Sequence, residues 1–186
     1  MGTLGSEKMG KNRNNKLFFS VFSGAIITLL GISAVHSQNT SGVGEMTEVK
    51  ETVSLGASPA DVWSAIGDFD GLDAWHPAVA VSESSHDGTD RIRKLTLGDG
   101  SVIVERLDSH DDDARSYTYT ILDAGPLPVQ NYQSTIKVTT DGSNARVTWS
   151  SKFEPHGAPE ADAQGAIAGV YTGGFAALVE RFGAGE

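Results

Sequence analysis

Glu105 is the residue whose position most needs a chemical reason, because it sits in Ser101-Val102-Ile103-Val104-Glu105-Arg106-Leu107, a run that otherwise alternates like a half-buried strand. Side chains two apart on a strand share a face. If Leu95, Ile103, Leu107 and Ile121 point inward, then Glu105, Tyr117 and Tyr119 point inward with them. Gly98-Asp99-Gly100, between strand-like runs at 91–97 and 101–108, is a hairpin signal. A three-residue loop there pairs Leu97 with Ser101, Leu95 with Ile103 and Arg93 with Glu105. A two-residue loop slips the register by one and offers Lys94 instead, from the opposite face. Burial disfavours the charged carboxylate and an opposing guanidinium favours it, so the pair can hold a tunable proton. Such a proton suits cyclisation, dehydration or isomerisation of a carbonyl compound, with Glu105 as general acid/base and Arg93 or Tyr132 polarising the oxygen. The same two residues also make sense as a structural or ligand-orienting ion pair, and Tyr119 and Tyr132 as core rings with satisfied hydroxyls.

Further strands add to that face: Tyr132, Ser134 and Ile136 share one side of their run, and Trp149, Ser151 and Phe153 share one side of theirs. His76, before Pro77 at a helix-to-strand junction, either orients a ligand or is a partly exposed capping histidine. His36, His86, His110 and His156 fall in loops or in the amino-terminal segment. None pairs at metal-ligand spacing, and Asp111-Asp112-Asp113 lacks the calcium-loop pattern and reads as a solvated hairpin tip. No glycine-rich phosphate loop and no Gly-x-Ser-x-Gly elbow is present. Neither a metal nor a cofactor is therefore expected.

The elements that must position these groups can be read from the rest of the chain. Lys8, Lys11, Arg13 and Lys16 precede an uncharged stretch, 17–35, and then His36-Ser37-Gln38, the three-part build of a secretory signal peptide over 1–37. The uncharged stretch is also long enough for an uncleaved membrane anchor. A periplasmic or secreted location follows from the first reading and anchorage by one amino-terminal span from the second. Residues 38–46 read as a small-polar linker and 47–184 as the folded domain. Removing the first 37 residues takes four cations and Glu7 from totals of 14 basic and 24 acidic residues, leaving 10 against 23 and a formal charge of −13. That balance repels phosphate backbones and anionic lipid, so no nucleic-acid partner is expected. The absence of cysteine rules out disulfides, thiolate nucleophiles and cysteine-based zinc sites.

Within the domain, 47–55 alternates as a first strand, and Ser58-Pro59-Ala60-Asp61 supplies an N-cap, a proline at the first helical position and an acid in the first turn. The helix it opens is expected to bury Trp63. Residues 68–78 read as a second short helix or a loop, ending in Trp75-His76-Pro77. Strands follow at 79–83, 91–97, 101–108, 116–122, 131–139 and 145–154, and Pro159 opens a long helix reaching about Phe182. In that helix Ala161, Gly165, Gly169, Gly173 and Ala177 recur every four residues with Gly174 beside them, although a helix-interior glycine costs nearly 1 kcal/mol. Close approach to the sheet, room for a ligand, or helix pairing through small residues are the available offsets.

Several strings in this order resemble a known family: Ala60-Asp61-Val62-Trp63 with Phe69-Asp70, Trp75-His76-Pro77-Ala78, Gly98-Asp99-Gly100, Glu105-Arg106-Leu107-Asp108, Gly125-Pro126-Leu127-Pro128-Val129, Asn131-Tyr132-Gln133-Ser134 and Val170-Tyr171. Together they are similar to the START-like, helix-grip superfamily (SRPBCC), in its polyketide cyclase/dehydrase branch, which also resembles plant abscisic-acid receptors and lachrymatory-factor synthase. The resemblance implies an α+β helix-grip fold: a seven-stranded antiparallel curved sheet wrapped around a long C-terminal helix, with two short helices after the first strand and an apolar cavity inside. It implies ligand-facing groups at His76, Glu105, Tyr119, Tyr132, Ser134, Trp149, Val170 and Gly174, and, by similarity to lachrymatory-factor synthase, catalytic roles for Glu105 and Arg93. Two departures argue against a hormone receptor: His76 stands where those receptors carry a lysine, and their gate-loop sequence is absent. What remains expected is an exported protein holding a small hydrophobic or aromatic ligand. Proteins of this type accompany a periplasmic methanol-oxidising enzyme, so an enzyme partner is one version. The alternative is a cyclase/dehydratase- or isomerase-like enzyme using Glu105. Any membrane contact is expected only through an uncleaved amino-terminal segment.

Overall fold

The computed structural model describes residues 46–185; the expected signal segment at 1–37 and nearly all of the linker lie outside the described residues. Strand β1 (Thr47–Leu55) is followed by helix α1 (Pro59–Ile66), a 3-10 turn (Leu72–Ala74), strands β2 (Val79–Asp87), β3 (Asp90–Leu97), β4 (Val102–Asp111), β5 (Ser116–Asp123), β6 (Val129–Asp141) and β7 (Asn144–Pro155), and helix α2 (Glu160–Phe182). The strands form one seven-stranded antiparallel sheet in the order β1-β7-β6-β5-β4-β3-β2. Hairpins connect β2 to β7 in sequence, and β1 crosses over to pair with β7. This is the expected helix-grip architecture. The second expected short helix is only the three-residue turn, with Gly71 at its start and Pro77, which cannot continue a helix's hydrogen bonding, soon after its end.

Local chemistry explains the elements. Ser58 caps α1, its hydroxyl accepting from the Asp61 N–H at 3.2 Å, and Pro59 fills the first helical position. Gly67 ends α1, where a Cβ would come within 2.6 Å of the Trp63 ring. Trp63 itself is half-buried: Val62 and Ile66 fill the core side of α1, and the indole N–H reaches out to Asp112 Oδ1 at 2.9 Å. Asp112 in the hairpin tip is thus hydrogen-bonded to the fold as well as exposed. His110 lies in β4 and His86 in β2, not in loops, because both strands run further into their hairpins than alternation alone indicates.

Register shifts interrupt the ladders, and the one in β6 changes which side chains face inward. A bulge between Gln130 and Gln133 includes Asn131 in a left-handed conformation (φ 52°) and shifts parity by one, so that Val129 and Tyr132 are both buried. After it the inward face continues through Ser134, Ile136 and Val138. Gly125 (φ 53°) closes the β5–β6 connection where a Cβ would sit 2.1 Å from the Val102 carbonyl oxygen, so only glycine fits.

Helix α2 lies against this face through Ala163, Ile167, Tyr171, Gly174, Phe175 and Leu178. Of the three offsets open to its glycine row, close approach to the sheet is not the one the structure takes. A Cβ at Gly165, Gly169 or Gly173 would meet nothing within 4 Å, and Gly165 and Gly169 are exposed, so the four-residue row lies away from the sheet. Gly174 alone is a close approach: its Cβ would lie 2.8 Å from His76 Cδ2 and 3.0 Å from the Trp75 ring. After α2 the chain returns to β1, the Gly56 N–H donating to the Gly183 carbonyl at 3.0 Å and the Gly185 N–H to Ser54 at 2.8 Å.

A cavity between sheet and helix

The three-residue hairpin loop sets the register that brings acid and base together: Arg93 pairs with Glu105 and Leu95 with Ile103. Arg93 Nε donates to Glu105 Oε2 at 2.5 Å, and neither side chain is more than 5% exposed. The guanidinium also donates through Nη1 to the Phe69 carbonyl oxygen and lies over the Phe69 ring at 4.1 Å and the Tyr119 ring at 5.1 Å. Its Nη2 has no hydrogen-bond acceptor among the described residues.

Electrostatically the pair is taut. Burial raises the Glu105 carboxyl above the ordinary glutamate range, with the charge and hydrogen bond of Arg93 pulling the other way. For Arg93 burial opposes the cation, but Glu105 and the neighbouring tyrosines raise it, so the guanidinium stays charged. Any proton that moves in this pair therefore moves at Glu105.

Glu105 is one wall of a cavity of about 70 Å3, whose other walls include Leu72, Leu95, Ile103, Leu127, Ile167 and the aromatic rings of Tyr119, Tyr132 and Trp149. Its rim is formed by Leu97, Ile121, Leu127 and Val170, which are only half-buried. Of the residues expected to face a ligand, the structure brings Glu105, His76, Tyr119, Tyr132, Trp149 and Val170 onto this wall. Arg93, Ser134 and Gly174 stand behind it, each supporting a residue that does line it.

Their supporting roles are visible in the hydrogen bonds. Trp149 Nε1 donates to Tyr119 Oη at 3.1 Å and to Ser134 Oγ at 3.0 Å. Ser134 Oγ donates to the Ser150 carbonyl at 2.9 Å, so in its 3.2 Å contact with Tyr171 the tyrosine is the donor. Tyr132 is then the donor in the 2.5 Å Tyr132–Tyr171 contact. The indole of Trp149 also stacks on Tyr171 with centroids 4.4 Å apart. Burial raises the tyrosines here above the usual phenol range, so they act as neutral donors.

His76 joins the turn to α2. It is 4% exposed rather than a partly exposed cap. The Ala78 N–H donates to Nδ1 at 3.3 Å, which leaves Nε2 as the donor to the Val170 carbonyl at 2.9 Å. That pattern fixes a neutral ring, and burial lowers its pKa accordingly. Gly174 provides the space that the ring occupies.

Sequence reasoning missed two contributors. Tyr171 joins the hydroxyl network to α2; its spacing of four from Ile167 and from Phe175 marked an inward face but not a partner. Phe69 supplies both a ring and a carbonyl to Arg93, and a backbone acceptor leaves no signal in a side-chain pattern.

Among the described residues no cluster of histidine, cysteine or carboxylate side chains is arranged to hold a metal ion. No protein of curated function matches this chain. Solved structures do. A protein named XoxI from Bacillus cereus is 35% identical, with 73% of this chain and 94% of that one covered at a TM-score of 0.67. A protein from Thermobifida fusca is 31% identical over 73% of this chain and 93% of that one, with a TM-score of 0.65. The Zhui aromatase/cyclase from Streptomyces sp. R1128 shares the fold at 19% identity, 73% and 90% coverage and a TM-score of 0.57. The model of the polyketide cyclase / dehydrase and lipid transport family matches residues 46–183, and with the inward sheet face, the gripped helix and the cavity between them this chain is a member of that family.

Proposed function

We propose that this protein binds a small, largely apolar molecule in the cavity between the sheet and α2 and acts as a carrier or sensor for it outside the cytoplasm. The observation that carries the reading is an apolar cavity between sheet and helix, ending on a buried carboxylate. Protein interiors are close-packed, and unfilled space of this size is scarce. At roughly 10–15 Å3 per water in the same measure, about 70 Å3 admits a few heavy atoms, whereas an engineered apolar cavity of about 150 Å3 binds benzene. A ring-sized guest therefore requires the half-buried rim leucines, Ile121 and Val170 to swing outward.

The amino-terminal charge pattern supports export, and the negative charge of the remainder argues against nucleic acid or anionic membrane as the target. An enzyme in the same compartment that makes or uses the guest is a fitting partner. Native mass spectrometry of the exported form, purified without added ligand, tests the reading. The expected result is a polypeptide shortened by about its first 37 residues and carrying a small adduct. A bare, full-length mass would count against export and cargo together.

The family and the proton poised at Glu105 favour a second reading, a cyclase/dehydratase- or isomerase-like enzyme with Glu105 as general acid/base. Glu105→Gln separates the two. Lost turnover with intact binding supports the enzyme, and unchanged behaviour toward every compound that binds supports the carrier.

A further inference from the structure

We propose that Glu105 makes the cavity selective for neutral guests that donate a hydrogen bond, and closes it to carboxylates. The inference rests on the cavity being a binding site, and it specifies the chemical class of the guest.

Charge and hydrogen-bond counting lead to it. The buried polar and charged residues are Thr47, His76, Arg93, Glu105, Ser134 and Ser151, and among them Arg93 and Glu105 face each other as an ion pair. His76 is neutral, with both ring nitrogens engaged. Arg93 does not reach the cavity wall; it lies behind Glu105 and is compensated by it. A carboxylate guest would therefore set a second anion beside Glu105 and find no unpaired cation in reach.

The polar capacity of the wall points the same way. A carboxylate has about four acceptor sites, and Glu105 receives one hydrogen bond from the described residues, through Arg93 Nε. The Trp149 indole N–H is taken by Tyr119 and Ser134, Tyr132 donates to Tyr171, and the Tyr119 hydroxyl is the one neutral donor among these without an acceptor among the described residues. The strongest unfilled capacity facing the cavity is thus an acceptor on Glu105. An O–H or N–H of a neutral guest meets it with a charge-assisted bond, whereas a hydrocarbon fills the space and leaves it unmet.

Phenol, toluene and benzoate separate these cases, with neutral benzamide as a control of benzoate's size, each titrated at neutral pH and followed by the NMR shift of the Trp149 indole N–H. Phenol and toluene have the same number of heavy atoms, so size cancels between them, and benzamide matches the larger benzoate without its charge and should bind where benzoate does not. Phenol should bind about tenfold more tightly than toluene, and benzoate should not bind detectably. In Glu105→Gln the guanidinium loses its counter-charge, so the phenol advantage should shrink and benzoate should now bind. Where that variant does not fold, Glu105→Gln combined with Arg93→Gln removes both charges and should bring phenol and toluene to within about twofold of each other, the charge-assisted part of the bond being lost. Equal affinities for phenol and toluene in the native protein, or benzoate binding to it, overturn the proposal. Failure of all four compounds would instead remove the cavity reading on which it rests.

Discussion

The interior holds two polar regions, and they are organised in opposite ways. In the hydroxyl network the hydrogens form a directed chain: Tyr132 donates to Tyr171, Tyr171 to Ser134, Ser134 to a backbone carbonyl, and the Trp149 N–H to Tyr119 and Ser134, with the Tyr119 hydroxyl hydrogen alone lacking an acceptor among the described residues. In the ion pair the two charges share one bond, Arg93 Nη2 has no acceptor among the described residues, and most of the acceptor capacity of Glu105 is open. A nearly closed network fixes geometry and resists change. An incompletely satisfied pair in the same core costs stability and has capacity left for a guest. The contrast assigns scaffolding to the tyrosines and recognition to the acid.

The sharpest way to break that contrast is Arg93→Met. Removing one partner of a buried pair leaves Glu105 uncompensated, so unfolding experiments near neutral pH should show a loss of about 3–5 kcal/mol. With burial alone acting, the carboxyl rises further above its unfolded value. The folded state then binds the extra proton, so the variant should regain stability as pH falls toward the unfolded glutamate range. A pH-independent loss would mean that the pair does not hold its charge as described.

Tyr171→Phe probes the other region and should cost less, about 1–2 kcal/mol, by leaving the Tyr132 hydrogen without its acceptor and Ser134 without one of its donors. It should leave the preference that Glu105 confers, for phenol over toluene, in place. A cost as large as that of Arg93→Met would erase the distinction between the two regions.

The smallest expected effect comes from His76, which stands between them. Its pKa is lowered by burial below the ordinary 6.5. The neutral ring therefore contributes stability that is present above that value and lost as pH falls through the folded-state pKa. Thermal unfolding from pH 8 to pH 5 should show a decline that is shallower in His76→Gln. Parallel profiles would show that the ring titrates freely.

Much of this was legible in the residues. The hairpin loop Gly98-Asp99-Gly100 narrowed the register to two, with Arg93 or Lys94 opposite Glu105, because strand pairing is a counting rule, and the structure takes the first. Alternation turned Tyr119, Ser134 and Trp149 inward correctly for the same reason. What escaped was whatever does not follow a period. The bulge at Asn131 is a local break in parity, and the Phe69 carbonyl belongs to the backbone. The solvent-facing glycines show that a four-residue row names a direction on a helix without saying what lies there. Cavity size was invisible too, since it depends on how far side chains fall short of one another rather than on which way they point.

The pairing of β1 with β7 joins Thr47 to Phe153, and the residues after α2 bind back onto the end of β1. A growing chain thus makes its earliest strand long before that strand's neighbour exists. The sheet cannot be completed until almost the whole domain is available, and contacts this distant in sequence form slowly. Nascent β1 has no edge to join and its apolar residues no cover during that interval, which makes this segment the natural place for a folding helper to hold and the first place for misassembly to begin.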